Sequence, residues 1–170
     1  MDLSPFIRDV PDFPQPGVLF RDITPLLASP AAFRESVERL AAEARRHDPE
    51  AVVGIESRGF LFGGPVAIEL GLPFVPVRKP GKLPAERMSI EYALEYGENQ
   101  LDIHRDALAP GQRAFIIDDV LATGGTALAT AKLVELLGAI TVGFGFVIAI
   151  DALGGRQRLS AYPVSSLIRY

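Results

Sequence analysis

Two adjacent carboxylates, Asp118 and Asp119, stand just before a run of small residues, Ala122-Thr123-Gly124-Gly125-Thr126. Glycine lets a backbone approach a ligand closely, and threonine hydroxyls can donate to it. A helical pattern follows, and the first N–H groups of a helix have no partner inside it. Together these make an anion site, most naturally for a phosphate. The two acids would repel a phosphate directly, so their task differs: accepting from ribose hydroxyls, or holding a magnesium ion through water. A phosphate next to a sugar diol is the implied ligand.

A second cluster, Glu56-Ser57-Arg58-Gly59, follows the apolar run Ala51 to Ile55. Arg58 at a strand end, flanked by Ser57 and Gly59, can offer a charged fork and free N–H groups to a diphosphate. A basic stretch, Arg78-Lys79-Pro80-Gly81-Lys82, leaves the next apolar run. Cations there would stabilise a departing anion as its charge develops. Common nucleotide signatures are absent: Gly54-x4-Gly59 is followed by Phe60 where a P-loop needs Lys, and no G-x-G-x-x-G opens a helix after a strand. A Walker ATPase and a dinucleotide enzyme are both excluded.

The elements that must carry these clusters alternate. Buried strands are expected at Ala51 to Ile55, Phe74 to Val77, Phe115 to Ile117 and Ile140 to Ile150, with an edge strand over Val164 to Ile168. The two aspartates mark the expected end of the Phe115 strand. Between strands lie helical patterns: one opened by Ser29-Pro30, one running to Gly71, and one from Ala127 that Gly138 terminates. Ser89 to Gly97 alternates like a strand, with Gln100 to His104 as its hairpin partner. Strands alternating with helices predict an α/β fold: a single domain with a mainly parallel central sheet flanked by helices, and ligands outside the strands' carboxyl ends. Residues 1–29 carry five prolines between Pro5 and Pro25 and read as an arm draped over the domain.

Composition narrows the partner. The chain has 170 residues, 48% of them hydrophobic, which is enough for one domain with a sizeable core. A net charge of −4 argues against a nucleic-acid or membrane face and for a small-molecule partner. Cysteine is absent, which excludes disulfides, thiolate catalysis and Cys-ligated zinc. His47 and His104 are far apart among polar neighbours and read as surface residues, not as a metal site. No signal peptide or membrane span is visible, so a cytoplasmic protein is expected.

The run from Phe115 to Thr126 resembles the phosphoribosyl-pyrophosphate (PRPP) signature of the type I phosphoribosyltransferases. Glu56 to Gly59 resembles the pyrophosphate loop of the same family, and Leu94-Glu95-Tyr96-Gly97 resembles the end of its catalytic lid. Phe13 to Pro25 is similar to the base-covering hood of the adenine-using branch. The resemblance implies the type I phosphoribosyltransferase fold, with a hood arm over residues 1–29 and a flexible lid and hairpin over residues 79–104. It implies transfer of the 5-phosphoribosyl group from PRPP to adenine, giving AMP and pyrophosphate with Mg2+ as cofactor. Carried over residue by residue, PRPP would be held by Glu56, Ser57, Arg58, Gly59, Arg78, Lys79 and Lys82. Asp118 and Asp119 would contact the ribose hydroxyls, with Ala122, Thr123, Gly124, Gly125 and Thr126 around the 5′-phosphate. Leu19 and Arg21 would offer backbone to the adenine edge, with Phe20 in apolar contact. Arg58, Glu95 and Tyr96 would be catalytic: Glu95 near the purine imidazole nitrogens, Tyr96 closing the site. A homodimer is implied as well. Val120 and Met88 to Glu91 depart from the family pattern at positions with no proposed chemical role. A phosphoribosyltransferase for another purine would share the phosphate chemistry, and a PRPP-sensing regulator would share the fold.

Overall fold

The computed structural model describes residues 1–93 and 98–170. The arm begins with a 3-10 turn at Ser4–Phe6 and the antiparallel hairpin β1 (Arg8–Pro11) and β2 (Leu19–Asp22), then the short helix α1 (Thr24–Ala28). Its prolines therefore punctuate a folded unit. Leu3, Ile23 and Leu26 explain why: all three are buried against the domain.

α2 (Pro30–Arg45) starts as its sequence predicts, with the Ser29 hydroxyl accepting from the Ala32 N–H at 3.3 Å. β3 (Ala51–Ile55) is buried at every position, which is why it reads as a continuous apolar run without alternation. α3 (Gly59–Leu70) ends at Gly71, whose φ of 66° is the left-handed cap that glycine supplies. β4 (Phe74–Val77) is followed by the hairpin strands β5 (Arg87–Ala93) and β6 (Glu98–His104). The core resumes with β7 (Arg113–Leu121), α4 (Gly125–Leu136) and β8 (Ile140–Ala149), then the one-turn α5 (Gly155–Arg158) and β9 (Val164–Arg169).

The central sheet has the order β4-β3-β7-β8-β9, and every neighbouring pair is parallel. One face packs against α1, α2 and α3 through Leu26, Leu40, Phe62, Val66, Phe115 and Ile117. The other packs against α4 and the β5–β6 hairpin through Ile103, Ile116, Leu133, Val134 and Phe144. Phe115 and Ile116 thus point to opposite faces and are both buried, the signature of a sheet covered on both sides. Gly143 and Gly145 make room for one ring: a Cβ at either would come within 3.0 and 2.9 Å of Phe115.

β7 corrects one expectation. It does not end at the aspartates but runs through them to Leu121, because β8 is long enough to pair as far as Leu121↔Ala149. Asp118 and Asp119 are therefore strand residues, held by the sheet's ladder at its carboxyl end. Such backbone positions are among the least mobile in a fold. His47 and His104 are half-buried: His47 stacks on Phe115, and His104 Nε2 accepts from the Ala85 N–H.

Candidate active site

The carboxyl ends of β3 and β7 open into a cleft of about 630 Å³. Glu56, Ser57 and Arg58 line it from the β3–α3 turn, and Asp118, Asp119 and Ala122 to Thr126 line it from β7 and the start of α4. Leu19, Phe20 and Arg21 of the hood close one side, and Lys79 another. The two anion loops and the hood thus meet at a single site.

α4 begins at Gly124, whose φ of 80° places it in the left-handed region, and no side chain caps the helix. The first residues of α4, Thr126 among them, line the cleft with no side-chain cap on their N–H groups, and Thr123 lines it too. Partial positive charge at a helix N-terminus adds to their pull on an anion. Behind the loop, Gly124 lies against Gly155, and a Cβ on Gly155 would stand 2.4 Å from the Ala122 carbonyl oxygen. The phosphate loop is braced by bare backbone. No local pattern around Gly154-Gly155 encodes this contact, which is a product of the fold.

Asp119 is almost wholly buried, and its Oδ2 lies 2.6 Å from Arg58 Nε. That contact is an ion pair without a well-aligned hydrogen bond, so Oδ2 remains an acceptor in need of a donor. The Asp118 carboxylate accepts the Asp119 N–H at 2.9 Å. Burial, then the neighbouring Asp119 charge, pushes the Asp118 carboxyl well above the usual range. Burial raises Asp119 too, partly offset by the Arg58 guanidinium. Arg58 also sits over the Phe20 ring at 5.4 Å, joining the diphosphate loop to the hood.

Glu56 faces the basic stretch. It accepts from Arg78 Nε at 3.2 Å, Arg78 NH2 at 3.3 Å and the Lys79 N–H at 2.8 Å. Burial raises its carboxyl, but the hydrogen bonds from Lys79 and Arg78 outweigh this and hold it below the ordinary glutamate range. Glu56 therefore fixes the start of the basic loop, with little capacity left for a ligand. Three expected ligands lie off the cleft wall. Arg78 is turned to Glu56 and to the Lys82 carbonyl, and Lys82 does not line the cleft. Gly59 sits beneath it, where a Cβ would be 2.9 Å from both Asp118 Oδ1 and the Ile117 carbonyl, so its role is to let α3 pack against β7. Glu95 and Tyr96 fall outside the described residues. Tyr92, Asn99 and Gln100 of the β5–β6 hairpin do line the cleft and carry no motif that would have singled them out.

In the hood, Phe13 meets Phe20 edge to face at 5.1 Å. Arg21 pairs with Asp9 of β1 and lies over the Tyr170 ring at 3.7 Å. These contacts fix β2 where its backbone faces the cleft. Among the described residues, no three His, Cys, Asp or Glu side chains converge as a metal-binding group. Asp118 and Asp119 suit a magnesium ion only where ligand oxygens and water complete its shell, as magnesium prefers.

A parallel α/β sheet with a small-residue loop at a helix N-terminus, paired acids and an arginine-bearing loop at adjoining strand ends fits a phosphoribosyl-transferring class of protein. The phosphoribosyl transferase domain profile matches residues 23–168, and the chain belongs to that family. Among its relatives is the adenine phosphoribosyltransferase of Carboxydothermus hydrogenoformans, 58% identical over 170 residues and covering 100% of both chains. The crystal structure of adenine phosphoribosyltransferase from Thermoanaerobacter pseudethanolicus superposes with a TM-score of 0.96 at 50% identity, covering 99% of this chain and 98% of that one. The Saccharomyces cerevisiae enzyme, complexed with an imino-altritol 1,6-bisphosphate and adenine, gives a TM-score of 0.90 at 39% identity over 97% of this chain and 96% of its own.

Proposed function

We propose that this chain transfers the 5-phosphoribosyl group of PRPP to adenine, forming AMP and releasing pyrophosphate in purine salvage. The observation that carries the reading is the convergence, in one cleft, of the α4 N-terminus, the Asp118-Asp119 pair, Arg58 and the hood. The relatives' names and the yeast complex support adenine as the base.

The loop from Ala122 to Thr126 anchors the 5′-phosphate, and Asp118 and Asp119 accept from the ribose hydroxyls. The anomeric carbon is thereby held between leaving group and base. N9 of adenine forms its bond to that carbon as the carbon–oxygen bond to pyrophosphate breaks, with inversion. Arg58 and Lys79 meet the charge that develops on the departing pyrophosphate. Bound Mg2+ supplies further neutralisation of that diphosphate. Glu95 manages the purine proton, and Tyr96 helps exclude water that would otherwise hydrolyse PRPP. Residues 79–104 act as the lid, residues 1–29 as the hood, within one catalytic domain. Leu19 and Arg21 present backbone to the adenine edge, beside Phe20. A cytoplasmic homodimer completes the reading. It is supported by family resemblance, and among the described residues no helix is long and apolar enough to cross a membrane.

A base panel tests it. Purified protein with magnesium and PRPP is offered adenine, hypoxanthine, guanine, xanthine and orotate separately, and nucleotide formation is followed. The expected result is strong preference for adenine, abolished by EDTA. Turnover of another base alone would overturn the adenine assignment, and PRPP binding without turnover of any base would favour a PRPP sensor.

A further inference from the structure

The β5–β6 hairpin touches the phosphate loop at one polar point. The Tyr92 hydroxyl lies 3.0 Å from Thr126 Oγ1, on the first turn of α4. Tyr92 is half-buried, and its ring packs against Gly125, 3.8 Å from where a Cβ would stand. It forms the partition between the main cleft and a smaller hollow of about 310 Å³ lined by Ile90, Ala93, Leu128, Lys132 and Arg158. Nothing in the phosphate chemistry described so far requires a tyrosine there.

A hydroxyl has one hydrogen and two lone pairs, whereas a phosphate dianion offers acceptors only. Thr126 can bind the anion only by donating its single hydrogen. Threonines within helices commonly spend that hydrogen on a carbonyl four residues back, as Thr130 does on the Thr126 carbonyl at 2.9 Å. Thr126, on the first turn of α4, has no helical carbonyl four residues back to take its hydrogen, so that hydrogen is shared between Tyr92 and an anion in the loop. Either hydroxyl can donate in this contact, but once an anion accepts the threonine hydrogen Tyr92 must be the donor, filling a lone pair of Oγ1 and keeping that hydrogen turned into the loop. Two O–H groups in series also polarise one another, so the tie strengthens when an anion accepts at its end.

We propose that Tyr92 is a positioning residue for the 5′-phosphate, acting through the Thr126 hydroxyl. The proposal rests on reading the α4 loop as the 5′-phosphate site. It assigns the hairpin a role in phosphate binding distinct from the lid role proposed above.

The test uses full-length Tyr92→Phe, which keeps the ring and removes only the hydroxyl. KM for PRPP should rise about fivefold, the effect of one hydrogen bond feeding a charged acceptor, with KM for adenine unchanged. By calorimetry, ribose 5-phosphate should bind the variant about fivefold more weakly than wild type. In a Thr126→Ala background, Tyr92→Phe should have no further effect on ribose 5-phosphate binding, because the group it acts through is gone. Equal weakening of adenine and ribose 5-phosphate, unaltered ribose 5-phosphate affinity in Tyr92→Phe, or a full additional loss in the Thr126→Ala background would each overturn the role of Tyr92 while leaving the site reading intact. Wild-type protein that does not bind ribose 5-phosphate would instead remove the phosphate-site reading, and the role of Tyr92 with it.

Discussion

The two loops that face each other across the cleft hold their shape by opposite means. The β3–α3 loop is built from charges already paired inside the protein: Glu56 with Arg78 and the Lys79 N–H, Arg58 with Asp119. The β7–α4 loop carries no ion pair of its own and is shaped by backbone, from Gly124 in the left-handed region to Gly155 packed beneath it. An internally paired loop can exchange partners when a charged substrate arrives and leaves. A loop braced by backbone has no such exchange to make, which suits it to the anchoring role proposed for it.

Breaking the rigid member should cost most. Gly124→Ala places a Cβ at a positive φ and 3.0 Å from the Gly155 carbonyl oxygen, shifting the helix N-terminus. We expect kcat/KM for PRPP to fall on the order of a hundredfold, measured at saturating adenine, with the protein still folded by circular dichroism. Asp118→Asn probes the charge at the join between the loops. A carboxyl whose folded-state pKa is raised contributes stability that is fully present below its unfolded value, near 3.8, and is lost as pH rises toward the folded one. Asparagine stays neutral throughout, so Tm above pH 4 should rise, by about 2–4 °C, while turnover falls about tenfold. Thermal melts across a pH series, set beside activity, check both signs. Glu56→Gln should be mildest: its ion pair is partly exposed, and kcat/KM should drop about threefold, more strongly at low salt.

Legibility in the sequence followed the same division. The acids, the glycine loop and the strands of the sheet were readable because a doubly covered strand must be apolar and a phosphate loop must be small. Glu56 was read as a ligand contact and does line the cleft, but its engagement with Arg78 depends on two strand ends lying side by side, which no local pattern encodes. The arm was read as lying over the domain, but its hairpin was not legible, for a related reason. Proline spacing marks where a helix cannot run, yet the β1–β2 hairpin is held by Arg21 reaching Asp9 and Tyr170, the latter 149 positions away in the chain. Tyr92 was one aromatic in an alternating strand until the fold set it beside Thr126. The continuation of β7 through Asp119 was hidden because carboxylates are poor strand formers, and only the pairing partner β8 keeps them in the ladder.

Gly155 brings no functional group to the cleft, yet it fills the space directly behind the Ala122 carbonyl. In a library of every single substitution selected for growth on adenine as the purine source, the intolerant positions would include it beside Asp118 and Asp119. A map of such intolerance records substrate contacts and steric supports alike, and here one of the residues most sensitive to replacement would be one that substrate never meets.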